Sequence, residues 1–274
     1  MHDPQEGVTP DGLIRTGAAH DAIASTWTPV LQDAVDAVAA VDAVAGGASL
    51  CVYGSVATGC AVVPSSDVDL LSVGMPARQA RRLAAELSVR YRDWCREVSI
   101  APASWAQVAA DSDEGLGLRV FLRHYCVHLA GDDLADGLPA YPADRRAARG
   151  FNGDLAEHLE RWALEVDDEA DAARLATRIA RKTLLAVAGL VSLRDATWST
   201  DRRTAASRWN ELEPGASVEV LVEWLDTPPG DRTAIREVLE GPVAEVLRSF
   251  RWEIGLWHAG VSHRAGGPPG ASHT

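Results

Sequence analysis

The sequence predicts an α+β fold, with a sheet and its helices in the N-terminal half and an all-helical C-terminal half. Three observations carry this. Apolar runs rich in β-branched residues fall early in the chain. Glycine and proline cluster over residues 135–150 (Gly137, Pro139, Pro142, Gly150). Beyond that stretch apolar residues recur almost only at helical spacing. A chain of 274 residues can bury a substantial core in one or two domains. The expected boundaries are 20–135 for the first domain and 150–260 for the second. Residues 1–19 and 262–274 are expected to be flexible tails.

Taken in order, residues 22–44 place Val30, Leu31, Val35, Val38 and Val41 at helical spacing and stop at Gly46-Gly47. Leu50 to Tyr53 is a buried strand, and Gly54-Ser55 turns it into a loop holding Thr58, Gly59 and Pro64. A second strand follows as Ser66-Asp67-Val68-Asp69-Leu70-Leu71. Ala77 to Trp94 is a helix. Arg96 to Ile100 alternates and reads as a third strand, with Glu97 and Ser99 on one face. Residues 103–110 and 116–129 look helical, and His124 and His128 could share a helix face, most simply as packing residues. After the linker, 155–164, 171–191, 202–211, 218–225 and 232–256 read as helices, the last interrupted by Pro242. Trp162, Trp198, Trp209 and Trp224 read as core residues rather than pocket walls.

The chemistry concentrates between residues 50 and 100. Asp67 and Asp69 stand two apart on a strand and so present neighbouring carboxylates, which repel unless a cation lies between them. Such hard oxygen pairs suit Mg²⁺, which completes its shell with water and phosphate oxygens. The Gly54-Ser55 turn offers backbone N–H groups and a hydroxyl to a phosphate. Further on, Arg174, Arg178, Arg181 and Lys182, the only lysine, lie along a helical stripe that an anion would complement.

Composition narrows the function classes. A formal net charge of −13 argues against nucleic acid as a partner. It suits either a cationic substrate or simple solubility. No apolar run approaches the ~18 residues of a membrane span, and the first residues lack the basic and apolar regions of a secretory signal. The four cysteines (Cys51, Cys60, Cys95, Cys126) show no paired framework, which suits a reduced, cytoplasmic protein.

A strand, a Gly-Ser turn, a loop and an S-D-x-D strand together resemble the nucleotidyltransferase superfamily of the polymerase β type. Within it, VYGSVATG, SSDVDLL, REVSI and the later ARLATRIARKTLLAVAG and TDRRTAASRW resemble bacterial streptomycin/spectinomycin adenylyltransferases. The resemblance implies a nucleotidyltransferase domain built on a mixed sheet, and AMP transfer from ATP to a hydroxyl of an aminoglycoside-like or aminocyclitol-like acceptor. It implies a pair of Mg²⁺ ions on Asp67 and Asp69, with Glu97 as general base, metal ligand or both. Gly54, Ser55, Thr58 and Ser66 would contact the nucleotide together with Arg178, Arg181, Lys182 and Arg203. Either Arg181 or Lys182 matches the family's nucleotide-contacting arginine, and Arg203 its lysine. Asp171 and Glu165 would face the acceptor. The loop after the third strand lacks the family's Trp-Arg-Tyr-Pro stretch, which leaves the acceptor open. The alternatives are the same chemistry on a protein acceptor, as in antitoxin-like enzymes, and a non-catalytic nucleotide-binding protein. A monomer and a homodimer are both compatible with the sequence.

Overall fold

A computed structural model of the chain describes residues 3–45, 47–167 and 171–257, without the side chains of 41–45. The fold is a mixed α/β arrangement. Residues 3–19, expected to be loose, instead carry two short paired strands, β1 (Gly7–Val8) and β2 (Ile14–Arg15), with Ile14 buried. The expected C-terminal tail lies outside the described residues. Helix α1 (Thr28–Ala45) buries Val30, Leu31, Ala34 and Val38. Strand β3 (Ser49–Tyr53) follows, then one helical turn α2 (Gly54–Ala57) where a simple loop was expected.

Strand β4 (Val68–Val73) returns antiparallel to β3. Helix α3 (Ala77–Arg90) crosses to β5 (Val98–Ala103), which pairs parallel to β4. After α4 (Trp105–Ala109) and α5 (Asp113–Tyr125), strand β6 (Val127–Ala130) pairs antiparallel to β3. The order β5-β4-β3-β6 makes a mixed four-stranded sheet. The fourth strand corrects the reading of 116–129 as one helix: extended backbone at Cys126 ends α5, so His124 and His128 sit on different elements. The His124 ring accepts a hydrogen bond from the Tyr141 N–H at 2.9 Å instead.

On the outer strand, the Ser88 hydroxyl takes the outward N–H of Val98 at 2.9 Å and donates to its carbonyl at 3.1 Å. Pro102 sits farther along the same strand, where an edge tolerates a missing donor.

Residues 135–150, expected to be linker, contain most of α6 (Arg145–Asn152). Then come α7 (Leu155–Glu165), α8 (Ala172–Arg194), α9 (Arg202–Leu212), α10 (Glu219–Glu223), α11 (Arg232–Val238) and α12 (Ala244–Glu253). Pro242 lies in a π-turn, Leu239–Val243, that joins the last two without breaking their course. One buried cluster packs α1 and α3 on the sheet, and another packs α6–α12 around α8, with Trp162, Trp198, Trp209 and Trp224 inside it. Among the described residues no helix is long and apolar enough to cross a membrane.

The halves meet where α5 crosses α6. A Cβ on Gly117 would lie 2.3 Å from the Gly150 carbonyl oxygen, so the crossing needs hydrogen at that position. Arg149 and Asp113 pair at 2.9 Å beside it. Gly117→Ala is therefore expected to destabilise the fold by about 1–3 kcal/mol through overpacking, read as a lower urea midpoint. Burial, with the charge of Arg123 adding to it, pulls the His124 imidazole from 6.5 down to about 4. The folded state thus stays neutral where the unfolded chain binds a proton, and stability falls as pH drops from 6.5 toward about 4. His124→Gln, which keeps an acceptor for Tyr141, should flatten the pH dependence of unfolding across that window.

Candidate active site

Asp69 is the centre of the site. It pairs with Tyr53 across the sheet on one side and with Ser99 on the other. The Ser99 hydroxyl donates to its carboxylate at 2.9 Å. Gly54, with φ of 71°, lets the α2 turn close over it: a Cβ there would lie 3.0 Å from Asp69 Oδ2. Burial raises the Asp69 carboxyl above its ordinary range, and Asp67 adds to this. Ser99, Arg181 and Arg96 pull the other way. Asp69 is thus a half-buried carboxylate near a second carboxylate.

Asp67 precedes β4 and is held by Arg96. The guanidinium Nε donates to Oδ1 at 2.8 Å and an Nη donates to Oδ2, a bidentate pair. Glu97 lies just before β5 rather than within it. Its carbonyl accepts the Val68 N–H at 2.9 Å, and its side chain is exposed. The expected trio of Asp67, Asp69 and Glu97 is not assembled: among the described residues no three His, Cys, Asp or Glu side chains are arranged as a metal-holding group. Asp67 and Asp69 still fit a magnesium ion, which commonly takes one or two protein carboxylates and fills its shell with water and phosphate. Arg96 is the positive charge that stands against the pair in the meantime.

The other residues expected around the nucleotide divide. Gly54 and Ser55 begin α2 beside Asp69. The Thr58 hydroxyl is spent on the turn's own carbonyls, Gly54 at 3.2 Å and Ser55 at 3.4 Å. Ser66 is buried, and its hydroxyl accepts the Val62 N–H at 2.9 Å, so it shapes the loop.

In the helical half a cavity of about 300 Å³ is lined by His158, Trp162, Arg178, Arg181, Lys182 and Arg202. Lys182 is drawn to Asp154 at 2.7 Å and to the Phe151 carbonyl at 3.0 Å. Burial lowers its pKa against the pull of Asp154. Arg178 pairs with Glu165 at 3.0 Å. Glu165 is therefore committed to the cationic wall, and Asp171 caps α8 by accepting the Arg174 N–H at 3.2 Å.

Arg181 and Arg202 form no ion pair among the described residues, although Arg202 Nε donates to the Arg181 carbonyl at 2.9 Å. Burial lowers the pKa of Arg202, and the Arg181 charge adds to the effect. Asp201, Asp69 and Glu6 oppose it. Arg203, the expected contact, faces elsewhere and holds both Asp226 oxygens at 2.7 Å. One residue along a helix is a turn of about 100°, so the tandem Arg202-Arg203 offers two directions that chain position alone does not separate. Trp162 also lines the cavity, and its indole N–H is buried without a hydrogen-bond partner among the described residues.

Arg181 and Arg202 lining one cavity beside Arg178 and Lys182 form a cationic wall suited to an anion. The Arg181 charge bears on Asp69, and Arg202 feels both Arg181 and Asp69.

No protein-family model matches the chain, and no curated protein sequence does. Among solved structures the chain is similar to spectinomycin adenyltransferase AAD(9) from Enterococcus faecialis, solved with ATP and spectinomycin. The TM-score is 0.50 at 11% identity, over 82% of this chain and 99% of that one. At that identity the likeness is one of fold.

Arg96→Gln would leave Asp67 and Asp69 adjacent without their hydrogen-bonded counter-charge. The expected result is a lower melting temperature in chelator, recovered in part by millimolar magnesium, where the unaltered protein gains less.

Proposed function

We propose that the chain is a nucleotidyltransferase that moves AMP from ATP to a hydroxyl of a small acceptor. The carrying observation is a cavity lined by Arg178, Arg181, Lys182 and Arg202 in a fold that also sets Asp67 and Asp69 two apart, with Asp69 among the charges that act on Arg202. One side of the site offers carboxylates for a divalent cation and the other offers guanidiniums for phosphate. A triphosphate bridging them satisfies both. The fold likeness to an adenyltransferase solved with ATP supports the same reading.

In this reading Asp67 and Asp69 hold Mg²⁺, which when bound neutralises and orients the triphosphate. For Asp67 this means that Arg96, whose side chain is 60% exposed, swings outward. Gly54 brings the α2 turn close enough for backbone N–H groups to meet phosphate oxygens. Arg181 and Arg202 take the charge that collects on the leaving pyrophosphate. Arg178 and Lys182 complete the wall, balanced by Glu165 and Asp154.

Glu97, exposed beside the Asp67 end of the strand pair, accepts the acceptor's hydroxyl proton. The acceptor oxygen then bonds to the α-phosphorus as the bond to the β-phosphate oxygen breaks, and pyrophosphate departs. Exposed Glu97 and Asp171 and the net charge of −13 favour a cationic, aminoglycoside-like acceptor. Resistance to such a compound would be the cellular consequence.

A second reading, a nucleotide-binding protein without transfer, is favoured by the bidentate hold of Arg96 on Asp67. Pyrophosphate release from ATP and Mg²⁺, measured across a panel of aminocyclitols and aminoglycosides, separates the two. Release that depends on one acceptor, and falls about 10²–10⁴-fold in Glu97→Gln, is the expected result. ATP binding with no release from any acceptor would favour the second reading.

A further inference from the structure

We propose that Glu6, on the N-terminal strap, is a positioning residue for Arg202 in the anion-binding wall; this rests on the nucleotide reading above. The Glu6 carboxylate is a knot between distant parts of the chain. One oxygen accepts from the Tyr125 hydroxyl at 2.8 Å and the Thr200 hydroxyl at 2.9 Å. The other accepts from the Thr200 N–H at 2.8 Å and the Ser199 hydroxyl at 3.2 Å. Tyr125 ends α5 in the sheet half, whereas Ser199 and Thr200 lead into α9 in the helical half. The Trp198 indole closes the knot by donating to the Tyr125 hydroxyl at 2.7 Å.

The connection runs on to Arg202 through adjacent groups. The Ser199 hydroxyl accepts the Asp201 N–H at 3.1 Å, and Asp201 caps α9 by accepting the Thr204 N–H at 2.8 Å. Arg202 is the first residue of α9, so the direction in which its side chain leaves is set by this cap. Its Nε bond to the Arg181 carbonyl then turns the guanidinium toward the cavity.

Two like-charged guanidiniums side by side drift apart unless their backbones are held, and the Asp201 cap is held in turn by Glu6. Glu6 also ties α5 to the same loop, so it holds the anion-binding wall in register with the β4 carboxylates. The strap itself is stitched to the body independently, by Ile14 N–H to the Tyr141 carbonyl at 2.9 Å, Ala143 N–H to the Gly12 carbonyl at 2.9 Å and Ala19 N–H to the Ala57 carbonyl at 3.1 Å. Losing the Glu6 carboxylate therefore need not release the segment.

The test is a double-mutant cycle on ATP affinity, measured by calorimetry with Mg²⁺ for the full chain, Glu6→Ala, Arg202→Ala and the double variant. The expected result is about tenfold weaker binding for Glu6→Ala alone and less than about twofold further loss when Arg202 is already alanine, the signature of coupled residues. Glu6→Gln, which keeps one acceptor oxygen and guards against a variant that does not fold, should recover part of the loss. Equal losses in both backgrounds, or no loss in either, would overturn the positioning role while leaving the nucleotide reading intact. If the unaltered chain bound no ATP, the nucleotide reading would fall and the positioning role with it.

Discussion

A half-buried carboxylate beside a second one governs this structure. Asp69 sits inside the β3-β4-β5 ladder, where its charged form is disfavoured and a second carboxylate lies next door. Each surrounding feature answers that constraint. Ser99 supplies a hydrogen bond, Gly54 the room, Arg96 a counter-charge on the neighbouring Asp67, and Arg181 and Arg202 a positive field from the other half. A partly desolvated charge held by partners from separate elements loses stability when any one is removed. The helical half is thus electrostatically tied to the sheet half, beyond being joined to it by the chain.

The mechanical connection is aromatic. Tyr53, on the strand that faces Asp69, meets Phe121 edge-on at 4.9 Å. Phe121 stacks on Tyr125 at 5.7 Å, Tyr125 meets Phe151 at 5.8 Å, and Phe151 meets Trp198 at 6.0 Å. This row runs from the base of the α2 turn to the loop that launches α9. Each ring pair restricts sliding as well as separation, so the distance between carboxylates and guanidiniums is set by packed rings rather than by a flexible linker.

Much of the hairpin was legible because its signals are local. Apolar alternation, a Gly-Ser turn and two aspartates two apart lie within a few residues of one another. The rest depended on contacts that pattern does not carry. Residues 3–19 read as a tail because they are polar, yet Glu6 finds its partners 119 and 194 positions away. The stretch 135–150 read as linker because of its glycines and prolines, whereas Gly150 is there for the close crossing with Gly117. Strand β6 is too short to break the helical spacing that precedes it. Arg203 matches the family's lysine by resemblance, while the rotation of α9 turns Arg203 to Asp226 and Arg202 to the cavity. Arg96 carried no signal of its own in the sequence, because its pairing with Asp67 exists only once β4 and β5 are side by side.

The outer strand of the sheet has a consequence for how the protein behaves in company. Its outward groups at Val98 are occupied by Ser88, and Pro102 has no N–H to give. An exposed edge normally templates the addition of a foreign strand, the first step in many β-rich aggregates. Here that edge offers an incoming chain a ladder with its lower rung taken and an upper rung missing. A high local concentration of such molecules, as on a ribosome-dense transcript, would find this edge a poor seed for growth.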